Sequence, residues 1–129
     1  METFTIKTTK KIEVIDITGK IERIVADSEI KEGFCLVYVP HATAAIILNE
    51  NEPNLCKDYV KLFEQIVPKG DWAHNAIDDN AEAHLKSAFF GPGKTIPIYG
   101  RSLLRGTWQQ IMLCEFDGPR ERKIIVVCK

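Results

Sequence analysis

The sequence predicts an α+β fold: one β-rich, sandwich-like domain over residues 1–129, with two to three helices inserted between strands. Three observations point there. Apolar, β-branched runs recur along the chain and dominate its last quarter, as packed strands require. One stretch, Pro53 to about Val67, instead repeats its apolar residues at steps of three and four. Turn residues such as Gly100 and Asp117-Gly118-Pro119 punctuate the β-rich runs closely enough for antiparallel pairing.

Taken in order, residues 3–17 alternate around Lys10-Lys11 and read as two strands joined by a tight connection. Thr18 to Glu32 has helical spacing, with Ile21, Ile24 and Val25 on one side and Gly33 as the stop. The run 34–39 reads as a buried strand, interrupted by Pro40 with His41 at the break. A strand from Thr43 to Leu48 ends in the polar group Asn49-Glu50-Asn51-Glu52. The helix from Pro53 follows, with proline suited to its first turn and Pro68 and Gly70 ending it. A short helix is expected after Asn80 as N-cap, with Ala81, Leu85, Ala88 and Phe89 on its apolar face and Gly91 in the left-handed stop position. Strands are then expected at 95–98, 107–116, which would place Trp108 in the core, and 122–128.

Composition narrows the function classes. An apolar fraction of 45%, 27% charged residues and a net charge of −1 are those of a globular protein with no electrostatic bias toward nucleic acid or an anionic membrane. No apolar run approaches the ~18 residues of a membrane span, and the N-terminus does not read as a signal peptide, so the expected location is cytoplasmic. The cysteines at 35, 56, 114 and 128 form no C-x-x-C pair and read as buried hydrophobes.

The densest chemistry lies between Asp71 and Gly91. It holds His74, His84, Asp71, Asp78, Asp79, Asn75, Asn80, Glu82 and Lys86, where a plain connector would use Gly, Ser and Pro. With His41 these are all the histidines of the chain, and each sits at a junction or loop beside polar residues. Three neutral imidazoles can hold a divalent metal, zinc or magnesium, with one coordination position open, although spacings of 33 and 10 residues match no linear metal motif. Glu50 ends a strand, where side chains commonly face a pocket. Lys86, Arg101, Arg105 and Arg120 are the candidate anion contacts, Arg for its bidentate fit to phosphate. Gly91-Pro92-Gly93-Lys94-Thr95 lacks P-loop spacing and reads as a turn, and Gly106-Thr107 would let a ligand approach the backbone.

Several segments together resemble the secondary thiamine-phosphate synthase-like proteins, a family of small bacterial and archaeal proteins. They are His41-Ala42-Thr43-Ala44-Ala45 leading to Asn49-Glu50; His74 with Asp79-Asn80; Ala83-His84-Leu85-Lys86-Ser87; Ile96-Pro97-Ile98; Gly106-Thr107-Trp108-Gln109; and Glu115 through Arg120. The resemblance implies a compact homotrimer with a polar pocket in which the three histidines meet. It places that site on His41, Glu50, His74, Asp79, His84, Gly106, Thr107 and Arg120. His41, His74 and His84 would hold the metal, Arg120 the diphosphate, and Glu50 or Asp79 would steady a cationic pyrimidine, with Gly106 and Thr107 contacting the bound group. The implied reaction joins a pyrimidine methyl diphosphate to a thiazole phosphate. Ala42 and Gly93 stand where hydroxyl residues are common in that family, which removes two phosphate contacts. The residues themselves leave two rival readings open: a metal- or small-anion-binding protein without turnover, and a metal-assisted phosphoester hydrolase. The expected partner is a small phosphorylated molecule.

Overall fold

The computed structural model describes residues 1–129 as eight strands in two sheets and three α-helices, an α+β fold. Strands β1 (Glu2–Lys7), β3 (Glu32–Tyr38), β5 (Gly93–Tyr99), β6 (Ser102–Leu103) and β8 (Glu121–Cys128) form a five-stranded sheet in the order β1-β8-β3-β5-β6. Strands β2 (Glu13–Asp16), β4 (Ala44–Asn49) and β7 (Gln110–Glu115) form a three-stranded sheet with β7 central. All pairings are antiparallel.

Side-chain alternation explains the layering. Ala44 and Ile46 of β4, with Ile111 and Leu113 of β7, face the large sheet and pack with Val37, Ile96, Ile98, Ile124 and Val126. The alternate residues Ala45 and Cys114 face the other way and pack with Phe63, Ala83 and Phe116. The small sheet is thus covered on both faces, which is why β7 reads as an unbroken apolar run. Helix α1 (Thr18–Asp27) adds Ile21 and Val25 to the first cluster. Helices α2 (Pro53–Ile66) and α3 (Ala81–Phe90) cover the second.

Helix α2 begins as expected, with Pro53 in its first turn and the Glu52 carboxylate accepting from the N–H groups of Asn54 and Leu55. Other expectations need correction. The two N-terminal strands do not pair with each other: β1 joins β8 in one sheet and β2 joins β7 in the other. Helix α1 stops at Asp27 rather than near Glu32, because Ser28 Oγ donates to the Val25 carbonyl and Glu29 turns to a φ of 60°. Gly33 is a β3 residue, where any Cβ would collide with the Lys129 backbone. Gly91 has φ 89° and ψ 154°, an extended mirror-region conformation rather than the left-handed helical one.

The expected apolar face of α3 is buried only at Ala81; Leu85, Ala88 and Phe89 turn outward. Ala83, Lys86 and Ser87 are buried, whereas Leu85 is 39% and Phe89 68% exposed. Small side chains let the helix approach β4 closely, and Ser87 Oγ donates to the Ala44 carbonyl at 2.6 Å. Trp108 is 70% exposed, because the expected strand 107–116 begins only at Gln110 and residues 104–109 form a surface loop. No helix is long and apolar enough to cross a membrane.

Candidate functional site

The two ends of β7 organise the polar chemistry. At its C-terminal end, Glu115 lies opposite Ala44 of β4 and Glu13 of β2. Glu115 and Arg122 form an ion pair whose side chains are 0% and 2% exposed. Arg122 Nε lies 3.0 Å from both carboxylate oxygens. One terminal nitrogen of the same guanidinium donates to the Thr43 carbonyl at 3.0 Å and to Thr43 Oγ1 at 2.7 Å. Thr8 Oγ1 donates to Glu115 Oε1 at 2.7 Å and accepts from the Arg120 N–H at 2.9 Å. No buried side-chain nitrogen or oxygen lacks a partner. A buried ion pair with every group satisfied fixes geometry, because losing any member strands a charge in low dielectric. Here it clamps the loop carrying His41 to the turn carrying Arg120.

On this foundation sits a polar chain that runs from half-buried Asp117 and Asn80 out to the surface. Arg120 donates from Nε to the Asp117 carbonyl at 2.7 Å and from a terminal nitrogen to Asp117 Oδ2 at 3.1 Å. Asn80 Nδ2 donates to the same carboxylate oxygen at 3.0 Å. Asn80 Oδ1 lies 2.9 Å from His74 Nε2, and the His74 ring meets His84 edge-to-face with centroids 4.8 Å apart. Asn80 at an amide's ordinary geometry accepts from His74 through Oδ1, so Nε2 carries the hydrogen. This role explains why Asn80 makes no side-chain cap on α3; Asn75 Oδ1 accepts the Ala81 N–H instead, at 3.0 Å.

His41 and His84 face each other across an open cleft of about 530 Å³, which Tyr38, Ser87 and Pro92 also line. His41 Nε2 accepts the Lys123 backbone N–H at 2.9 Å. A backbone amide can only donate, so this nitrogen keeps its lone pair and the neutral ring carries its hydrogen on Nδ1. Burial lowers the His41 pKa, and the nearby Arg122 and Arg120 charges add to this against the opposing pull of Glu115. His41 is thereby held as a neutral donor.

The residues expected to form one pocket therefore occupy several places. His41, His74, His84 and Arg120 belong to the connected region just described. Asp79 lines a different cavity, with Lys86 and Lys11. Gly106 and Thr107 line a third, of about 430 Å³, with Glu22, Arg101 and Arg105. Glu50 follows β4 at its far end, roughly 20 Å along the strand from Ala44 at about 3.3 Å per residue. Its carbonyl accepts from Tyr59 Oη at 2.9 Å. Asp117 and Asn80, the two links between the histidines and Arg120, and the buried Thr43, Glu115 and Arg122 are not among the site residues expected from the sequence. Their signal was faint: an Arg and a Glu inside strand-like apolar runs, positions that tolerate charge only when paired.

Nor do the three histidines form a metal centre as arranged, since no group of three His, Cys, Asp or Glu side chains is placed to hold an ion. The reason is visible at His41, whose only lone-pair nitrogen is already occupied by the Lys123 N–H. As placed, the three imidazoles present no ready donor set for zinc or magnesium.

Fold and site together define a small two-sheet α+β protein with a histidine-lined cleft beside a buried ion pair. Comparison places it further: the chain belongs to the UPF0047 protein YjbQ-like family, whose model matches residues 2–129. It is 45% identical to a UPF0047 protein of Archaeoglobus fulgidus, covering 95% of each chain. It is 40% identical to UPF0047 protein YugU of Bacillus subtilis, covering 95% of this chain and 93% of that one. A crystal structure described as a YbjQ-like protein of unknown function from Sulfolobus solfataricus P2 superposes with a TM-score of 0.97 at 44% identity, covering 98% of this chain and 94% of the other.

These matches correct the resemblance to secondary thiamine-phosphate synthase-like proteins and the reaction it implied. The relatives are described as UPF0047 proteins or as a protein of unknown function, and none of these descriptions names a thiamine-related or transferase activity. The physical reason is consistent with the geometry. Short motifs fix local residue identities, whereas a condensation site needs Glu50, Gly106 and Thr107 beside the histidines, and within one chain they lie at the opposite end of the small sheet.

Proposed function

We propose that the cleft between His41 and His84 binds the phosphate group of a small molecule. The observation that carries this reading is the tautomer of His41, a cleft-lining residue whose one lone-pair nitrogen is occupied and whose Nδ1–H remains a donor. His84 supplies a second imidazole across the cleft, and the chain His74–Asn80–Asp117 ties the histidines to the Arg120 guanidinium, a group suited to oxyanions. We further propose that the protein works as a homotrimer. Leu85, Phe89, Tyr99, Leu104 and Trp108 are all exposed. Large apolar side chains left outside call for cover, and neighbouring copies would supply it.

Titration of the protein with inorganic phosphate and with a phosphate monoester, followed by amide shifts of residues 41–43 and 84–88, tests the site. His84→Asn and Arg120→Gln are each expected to weaken binding about tenfold, worth ~1.4 kcal/mol. Equal affinity in wild type and both variants would overturn the reading. So would stoichiometric uptake of zinc that His84→Asn abolishes, since the histidines would then be ligands. Light scattering should return three times the chain mass, and a monomer at micromolar concentration would remove the trimer.

A further inference from the structure

Helix α3 borders a second cavity, of about 900 Å³, whose lining includes Lys86, Glu82 and Asp79, with Glu64 from α2, Lys69 from the segment after it, and Lys11. Lys86 is only 5% exposed, yet its ammonium takes part in no hydrogen bond or ion pair of the fold. Because no buried side-chain nitrogen is sealed off without a partner, Nζ must open onto the cavity. An ammonium carries three N–H donors, and leaving them unmet away from bulk water is costly. Desolvation lowers the Lys86 pKa accordingly, while Glu64 and Glu82 pull it up without reaching salt-bridge distance and Lys11 opposes them.

We propose that this cavity is a second ligand site, taking a small dipolar molecule whose oxyanion accepts from Lys86 Nζ and whose amino group donates to Glu82 or Glu64. The volume lies within the range of small-molecule pockets, ~300–1,000 Å³. The charges of the lining select the dipolar class. Lys11, Lys69 and Lys86 are balanced by Glu64, Asp79 and Glu82, so a bare anion meets as much repulsion as attraction. A molecule with both signs satisfies both sets. Asn75 also lines the cavity; its Oδ1 is committed to the Ala81 N–H, which leaves its amide donors for the same oxyanion. The site is separate from the histidine cleft, because Lys86 and Glu82 line one cavity while His84, Ser87 and Ala88 line the other.

The test is a titration of the full chain, reading the Lys86 side-chain signal and the amides of Asn75, Glu82 and Lys86 by nuclear magnetic resonance. Probes are phosphoethanolamine and glycine as dipolar molecules, and phosphate, acetate and methylammonium as their halves. The dipolar probes should bind about tenfold more tightly than any half, with the better of the two telling phosphate from carboxylate. Lys86→Met should abolish the response and Lys86→Arg should retain part of it, while His84→Asn leaves it unchanged. Probes that leave the Lys86 signal unmoved, halves that bind as well as the dipolar molecules, or an undiminished response in a folded Lys86→Met protein would each overturn the proposal. The wild-type Lys86 signal decides the matter even if that variant fails to fold.

Discussion

The two ends of β7 carry comparable polar motifs and differ in what lies beneath them. At the C-terminal end, the His41–Thr43 loop and the Asp117–Arg120 turn rest on the buried Arg122–Glu115 pair, with Thr43 and Thr8 completing its bonds. At the N-terminal end, the loop 104–109 is held by its own exposed contacts: Arg105 to the Gln109 carbonyl and to Glu22, and the Gly106 N–H to Gln109 Oε1. Both loops would pass as binding motifs in the sequence. Only the first has a substructure that fixes its side chains to the tolerance a site needs.

The sharpest way to break this contrast is to remove the foundation. Arg122→Met leaves the Glu115 charge buried and alone, and should lower stability by about 3–5 kcal/mol in denaturant titration. The double variant Arg122→Met/Glu115→Leu should recover most of the loss, since apolar groups of similar volume often replace a buried pair at little cost. A single variant as stable as wild type would show that the pair supports nothing. Next comes Gly118→Ala. A Cβ there would collide with the Lys10 carbonyl and come within 2.9 Å of Thr8 Oγ1, so a loss of about 1–3 kcal/mol is expected.

His41 gives a smaller, pH-dependent effect. Its folded pKa lies below the unfolded value, so as pH falls the unfolded chain takes up the proton first. Stability should therefore decline as pH drops through ~6.5 and level off below the folded pKa. His41→Gln should remove that component when thermal midpoints are compared across pH. An unchanged profile would mean that His41 titrates as it does in the unfolded chain. The smallest effect is expected at the other end of β7. Thr107→Ala should change stability by no more than about 0.5 kcal/mol and leave phosphate affinity at the histidine cleft untouched. A loss of binding there would bring the two ends into one site, as a trimer would if neighbouring copies supply the loop.

Side-chain order along the chain dictates local structure and little else. The three- and four-residue repeat of α2, its proline start, the apolar runs of β3, β4 and β8, and the β-rich two-sheet class are short-range consequences of side-chain periodicity. The concentration of polar chemistry at His41, at residues 74–86 and at Arg120 was legible in the same way. Tertiary structure decided which of those residues meet. It turned Leu85 and Phe89 outward because Ala83 and Ser87 allow α3 a closer approach to β4. It left Trp108 exposed and carried Gly106, Thr107 and Glu50 away from the histidines. It also gave Asn80 to a hydrogen-bonded chain rather than to a helix cap. Such choices depend on pairing across the sheets, as between Arg122 and Thr43, 79 residues apart. Periodicity acts over a few residues, whereas a buried charge finds its partner only once the whole chain has closed around it.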